Sequence, residues 1–137
     1  MSTLLNVTLA GALAAQLSPV LQFAARPRSL LLQANFTRVG GGTTTDAWVQ
    51  TTVDGGATWF DIAQFSFTTS SALRLYNLVA LTPKTAIVTP TDGTLTANTS
   101  IDGLIGTKLR AKWTTTGTYT GASALVLDAI ADAMLGA

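Results

Sequence analysis

Histidine, cysteine and glutamate are absent from this chain, and its seven acidic residues are all aspartates. Without cysteine there is no disulfide and no thiolate metal site, and the redox compartment leaves no mark. Charge of either sign is scarce: charged residues make up 11% of the chain, against about 25% in ordinary globular domains. The net charge of +1 provides no bulk attraction to nucleic acid. Long apolar runs are missing too. The windows Leu9–Ala25 and Ala122–Leu135 are interrupted by Gln16, Ser18 and Pro19 and by Asp128 and Asp132, whereas a spanning helix needs roughly 20 largely apolar residues. No lysine or arginine precedes Arg26, so the basic start of a secretory signal is lacking and the expected place of synthesis is the cytoplasm.

The surface role usually given to charge falls to threonine and serine, which suits β-structure. With a hydrophobic fraction of 47%, so uncharged a chain is expected to have part of its surface covered by other chains. Its 137 residues suffice for one domain with a single core, residues 1–28 being expected as an N-terminal arm plus first strands. Short strands are expected at Leu4–Ala10 and Val20–Ala25, with Gly11–Gln16 open between helical turn and loop. A break follows at Pro27. Ser29–Val39 alternates, with Leu30, Leu32, Ala34 and Phe36 on one face. Gly40–Thr43 reads as a flexible turn. Asp46–Val53 and Thr58–Phe67 are two arms of a hairpin, Ala72–Val79 is a further strand, and Leu81–Gly106 is a long loop with one or two small strands, reaching outward. Thr107–Thr116 sets Leu109, Ala111 and Trp113 against Lys108, Arg110 and Lys112. Ser123–Ala133 closes the chain as a strand to about Ile130, although Leu127, Ile130, Ala131 and Met134 also fit a helical period. Turn signals at roughly 8–12-residue intervals indicate an all-β fold: an antiparallel β-sandwich, jelly-roll-like.

Thr52-Val53-Asp54-Gly55-Gly56-Ala57-Thr58-Trp59 resembles the Asp-box, a hairpin motif of sialidases and of many unrelated β proteins. Asp54, Gly56, Thr58 and Trp59 match it. The resemblance implies that Asp54 caps the turn amides and Trp59 anchors the hairpin in the core, a structural role; Trp48 and Trp113 are also expected in the core. A sialidase would need several such repeats and an arginine cluster, which the chain does not have. Asp46, Asp54 and Asp61 have no fixed partner for paired-carboxylate catalysis, Asp61 sharing the parity of Trp59. Asp92, Asn98 and Asp102 match no Ca²⁺ loop spacing, and Asp before Gly is more often a turn cap. No catalytic residue, metal or cofactor is expected. Lys108, Arg110 and Lys112 are the concentrated charge feature and the candidate partner-binding stripe. An acidic protein is favoured over DNA as its partner, since nucleic-acid surfaces carry more basic residues and exposed aromatics. The alternative reading is a solvated face whose lysines blunt a sheet edge. Gly40–Gly42 has no following Lys-Ser/Thr and is no phosphate loop.

From Leu30 onward the chain resembles small virion proteins of tailed phages and prophages. The stretches that carry this are Gln33-Ala34-Asn35-Phe36-Thr37, Asp46-Ala47-Trp48-Val49-Gln50-Thr51, Pro90-Thr91-Asp92-Gly93-Thr94-Leu95, Asn98-Thr99, Asp102-Gly103-Leu104-Ile105-Gly106 and Thr116-Gly117-Thr118-Tyr119. The resemblance implies a structural, non-enzymatic role in a virion assembled in the host cytoplasm. The expected role is capsid cement or decoration, binding the major capsid protein or another virion protein as a homo-oligomer, with a trimer favoured. The charge-free stretch Leu4–Ala25 would then lie along a neighbour. The alternatives are a head–tail connector or tail accessory protein, separable by copy number, and a carbohydrate-binding receptor module. The last should expose aromatics on Leu81–Gly106, and that segment contains none.

Overall fold

The computed structural model describes residues 1–132, which hold no helix. Eleven strands follow one another along the chain: β1 (Ser2–Thr8), β2 (Leu13–Leu17), β3 (Leu21–Gln22), β4 (Ser29–Thr37), β5 (Gly40–Gly41), β6 (Thr44–Thr52), β7 (Phe60–Phe67), β8 (Ala72–Val79), β9 (Lys108–Thr116), β10 (Tyr119–Thr120) and β11 (Ala124–Ala131). All pairings between them are antiparallel. One sheet runs β1-β11-β4-β8; the second runs β2-β9-β6-β7, with β3 also on β9; β5 and β10 form a separate two-stranded piece. The result is an antiparallel β-sandwich.

Period-two patterning explains why these segments are strands and which face each buries. Leu30, Leu32, Ala34 and Phe36 are buried on β4, as are Leu109, Ala111 and Trp113 on β9 and Leu125, Leu127 and Ala129 on β11. The two inner faces meet in one apolar cluster. Phe36 of the first sheet stacks on Phe67 of the second with centroids 4.7 Å apart, and Tyr119 meets Phe36 edge-on at 5.8 Å. Each fully buried Phe, Leu or Ile contributes about 1.5–3 kcal/mol relative to exposure, so this interface dominates the fold.

Several expectations need correction. Gly11–Gln16 is neither helical turn nor loop: most of it belongs to β2, which pairs with β9 across a register shift between Leu13 and Gln16. The stretch 2–22 does not project as an arm. It supplies strands to both sheets, with Leu4, Leu5 and Leu9 buried and Phe23 beside them. Val20–Ala25 contains only the two residues of β3, followed by a single bond from the Phe23 N–H to the Thr107 carbonyl at 2.9 Å; ahead of it Ser18 exchanges bonds with Ala111 through its N–H and hydroxyl at 2.8 Å each. Gly40–Gly42 is not a free turn, since Gly40 and Gly41 pair with Thr120 and Tyr119. The segment 81–106 holds no strand, only a bridge between Ala63 and Ser100. Its first part, Leu81–Ile87, is exposed, but the remainder lies back on β7. β11 is a strand through Ala131, which removes the helical reading; Ala133 and Met134 lie outside the described residues.

Candidate functional site

The β6–β7 hairpin and the Thr91–Ile101 stretch that covers it bring together most of the polar residues singled out by sequence. At the hairpin tip, Asp54 Oδ1 accepts the Thr58 N–H at 2.9 Å and the Thr52 hydroxyl at 2.8 Å. Thr52 Oγ1 accepts in turn from the Gly56 N–H at 3.1 Å. Gly55 and Gly56 sit at φ +77° and +109°, a region L side chains rarely adopt, which is why glycine occupies both. The Thr58 backbone bond, then the Thr52 hydroxyl, hold the Asp54 carboxyl down from 3.8 to about 2. Asp54, Gly56 and Thr58 therefore act as the Asp-box reading requires.

Trp59 does not. Its indole N–H donates to the Gly56 carbonyl at 3.0 Å, but its ring lies half-buried on the outer face beneath the Arg110 guanidinium, 4.4 Å from the centroid. Trp48 is also half-buried outside the core, donating to the Leu95 carbonyl at 3.2 Å; only Trp113 is a core tryptophan. Parity accounts for this: Trp48 and Trp59 share the face of Gln50, Arg110 and Lys112.

That outer face is sealed by a buried polar network. Asp61 is 1% exposed. Its carboxylate accepts the N–H groups of Gly93, Thr94 and Leu95, the Thr91 hydroxyl and the Gln50 amide, all between 2.8 and 3.1 Å. A buried carboxylate is tolerated only when so completely bonded. Gln50, fully buried, also donates to Asp92 at 2.7 Å and accepts from Arg110 Nε at 2.8 Å. Lys112 pairs with Asp92 at 3.0 Å, and Lys108 donates to the Gly55 carbonyl at 3.1 Å. The Gln50 hydrogen bond and then Lys112 lower the Asp92 carboxyl, while desolvation lowers the Arg110 guanidinium. The structure thus gives each cation of the stripe an internal acceptor, on the turn or on the covering loop.

The same loop closes the β7 edge. The Asp61 N–H donates to the Thr91 carbonyl, Gln64 N–H to Thr99, Ile101 N–H to Ile62 and Ser66 N–H to Asn98 Oδ1, at 2.8–3.0 Å. From β8, the Tyr76 hydroxyl donates to the Gln64 carbonyl at 2.8 Å and Arg74 to that of Ser66. Asp92, Asn98 and Asp102, considered together as oxygen ligands, serve separate partners: Gln50 and Lys112, Ser66 and Arg74, and the Val79 N–H. Asp46 accepts from Gln64 and Ser66, away from Asp54 and Asp61.

Two open depressions flank the network. One of about 520 Å³ lies among Trp59, Pro90, Asp92 and Arg110; another of about 430 Å³ lies among Arg26, Val53, Phe60 and Leu104. No cluster of three acidic side chains occurs among the described residues. Sequence reasoning missed Gln50 and Gln64 as buried organisers, and no local signal marks them, because each is held partly by distant groups: Gln50 by Asp92 and Arg110, 42 and 60 residues away, and Gln64 by the Asn98 N–H, 34 residues away. No protein-family model and no curated protein matches this chain.

Proposed function

We propose that this chain is a structural subunit that works by packing against neighbours, specifically a capsid cement or decoration protein of a tailed-phage or prophage virion whose partner is the major capsid protein. One observation carries the reading. The outer face of the β1-β11-β4-β8 sheet exposes Leu31, Leu73, Leu75, Val79 and Ile130 to between 38% and 55%, and cross-strand register puts all five on one side. Leu31 and Ile130 pair directly, while Leu73, Leu75 and Val79 stand opposite Asn35, Gln33 and Ser29, so the face mixes exposed apolar groups with uncharged polar ones, the kind of surface that marks an interaction site. On the other sheet the outer-face polar groups are taken up in holding the hairpin and the loop that covers it, which leaves recognition to apolar contact and many weak contacts to multiplicity.

The strand order supports the jelly-roll reading. β1 pairs β11, β2 pairs β9, β4 pairs β8 and β6 pairs β7, as in a long antiparallel ribbon rolled so that its rungs fall alternately in the two sheets. Scarcity of charge supports a subunit finished by its companions. The test is co-sedimentation of the purified protein with undecorated capsids. Saturable binding at high copy number, lost on Leu31→Lys, is expected. Failure to bind, with the protein a stable monomer by light scattering, ends the proposal; one ring's worth of copies transfers it to a head–tail connector.

A further inference from the structure

Sheet edges must be paired or blunted if a β protein is to avoid joining others. β7 is capped along its length by the loop and by Arg74 and Tyr76. β2 is irregular between Leu13 and Gln16 and runs into Pro19, and β1 carries a register shift between Thr3 and Leu5. β8 differs: it pairs with β4 from Ala72 to Val79 without any shift and contains neither proline nor lysine. At its far end Val79 donates to Asp102 at 2.9 Å and accepts from the Gly103 N–H at 2.9 Å, while the Ala80 N–H turns back to Arg28. By the same alternation, the N–H and C=O groups of Leu73, Leu75 and Asn77 face the open side. No bond to them occurs there among the described residues. Leu73 and Leu75 are 55% and 52% exposed.

We propose that β8 pairs antiparallel with β8 of a second copy of this chain, across a two-fold axis at Leu75. The strand is self-complementary in that register. Leu75 meets its own copy, and Leu73 meets Asn77 of the second copy, so every open backbone group finds a partner. Arg74 falls opposite Tyr76 of the second copy, so no like charges meet across the axis. Sliding by two residues one way sets Arg74 against Arg74, a like-charge pair. Sliding the other way brings Leu73 to Val79, whose backbone groups Asp102 and Gly103 already occupy. Arg74 is the single charge on β8, so a charged peptide finds little complement there, and a two-fold contact between copies closes without leaving a further edge. The pairing is a property of the isolated protein, independent of the capsid reading, and it differs from the trimer favoured on sequence.

Sedimentation equilibrium over a wide concentration range tests it, with circular dichroism to confirm folding of each variant. The unmodified protein is expected to be a dimer. Leu75→Lys and Leu75→Asp should each weaken association at least about tenfold, corresponding to 1.4 kcal/mol. Mixing the two variants should restore a dimer, because position 75 faces itself. Amide exchange of the unmodified protein provides a readout free of variants: protection of Leu73, Leu75 and Asn77 should rise with concentration. A monomer throughout, a trimer, or a dimer with no concentration-dependent protection at those amides overturns the proposal.

Discussion

Gln50 donates its side-chain amide to Asp61 at 2.9 Å, both buried, beneath a loop that begins 30 residues further along the chain. Through this pair the hairpin holds the Thr91–Leu95 segment, and through Arg110 and Asp92 it holds the cationic stripe of β9.

Removing the carboxylate should therefore release the loop. Asp61→Ala strands the N–H groups of Gly93, Thr94 and Leu95, and we expect a loss of about 3–5 kcal/mol, the usual cost of breaking a buried charged network. Asp61→Asn keeps the shape and part of the acceptor capacity and should cost about 2 kcal/mol. Urea unfolding measures both, and faster amide exchange confined to residues 91–95 would identify the loop as the part released.

Asp54 sets an acid-sensitive turn. Its folded carboxyl titrates at about 2 instead of 3.8, so its contribution is fully present above pH 4 and is lost as pH falls towards 2. The group is fully exposed, so the effect is local and modest. Asp54→Asn should flatten the stability profile between about pH 4 and pH 2 while leaving the slope at higher pH unchanged. Thermal melts across that range check the sign.

Gly42 lies at φ +78°, and a Cβ there would stand 2.2 Å from the Tyr119 ring. Tyr119 is 2% exposed and donates its hydroxyl to the Thr68 carbonyl at 2.8 Å, so the ring has little freedom to retreat. Gly42→Ala combines backbone strain with overpacking and should cost about 3 kcal/mol, lowering Tm by roughly 10 °C. Gly11→Ala is the comparison: its φ is +87° but nothing lies within 4 Å of the added atom, so strain alone should cost about 1 kcal/mol.

The hairpin is the tip of the ribbon, and its pairing spans the shortest loop, whereas β1 joins β11 from opposite ends of the chain, Ser2 opposite Ala129. Short loops close first. Asp54→Ala should slow folding with φ above about 0.5, and Leu127→Ala should act mainly on unfolding with φ below about 0.3. Chevron analysis of the two variants decides it.

Alternation within a segment was readable because side-chain direction on a strand depends only on parity. Leu30 to Phe36 and Leu109 to Trp113 bury the expected faces, and Ala72–Val79 is β8 to the residue. The turn chemistry of Thr52–Trp59 was readable because Asp54 reaches amides at most four residues away. Trp59 was misread since aromatic content signals burial without naming a face, and the face it shares with Arg110 proved to be the outer one. Leu13–Leu17 was obscured by the irregularity that lets it pair with β9.

Local order in this protein was written in the chain: its class, most strand limits, the inward faces and the Asp54 turn, all set by interactions within a few residues. The tertiary structure alone decided which strands share a sheet, that the segment after Pro90 lies on β7, that Asp61 holds it, and that β8 keeps an open side. Those outcomes depend on contacts between residues tens of positions apart, and no local preference encodes which distant partner a hydrogen-bonding group will meet.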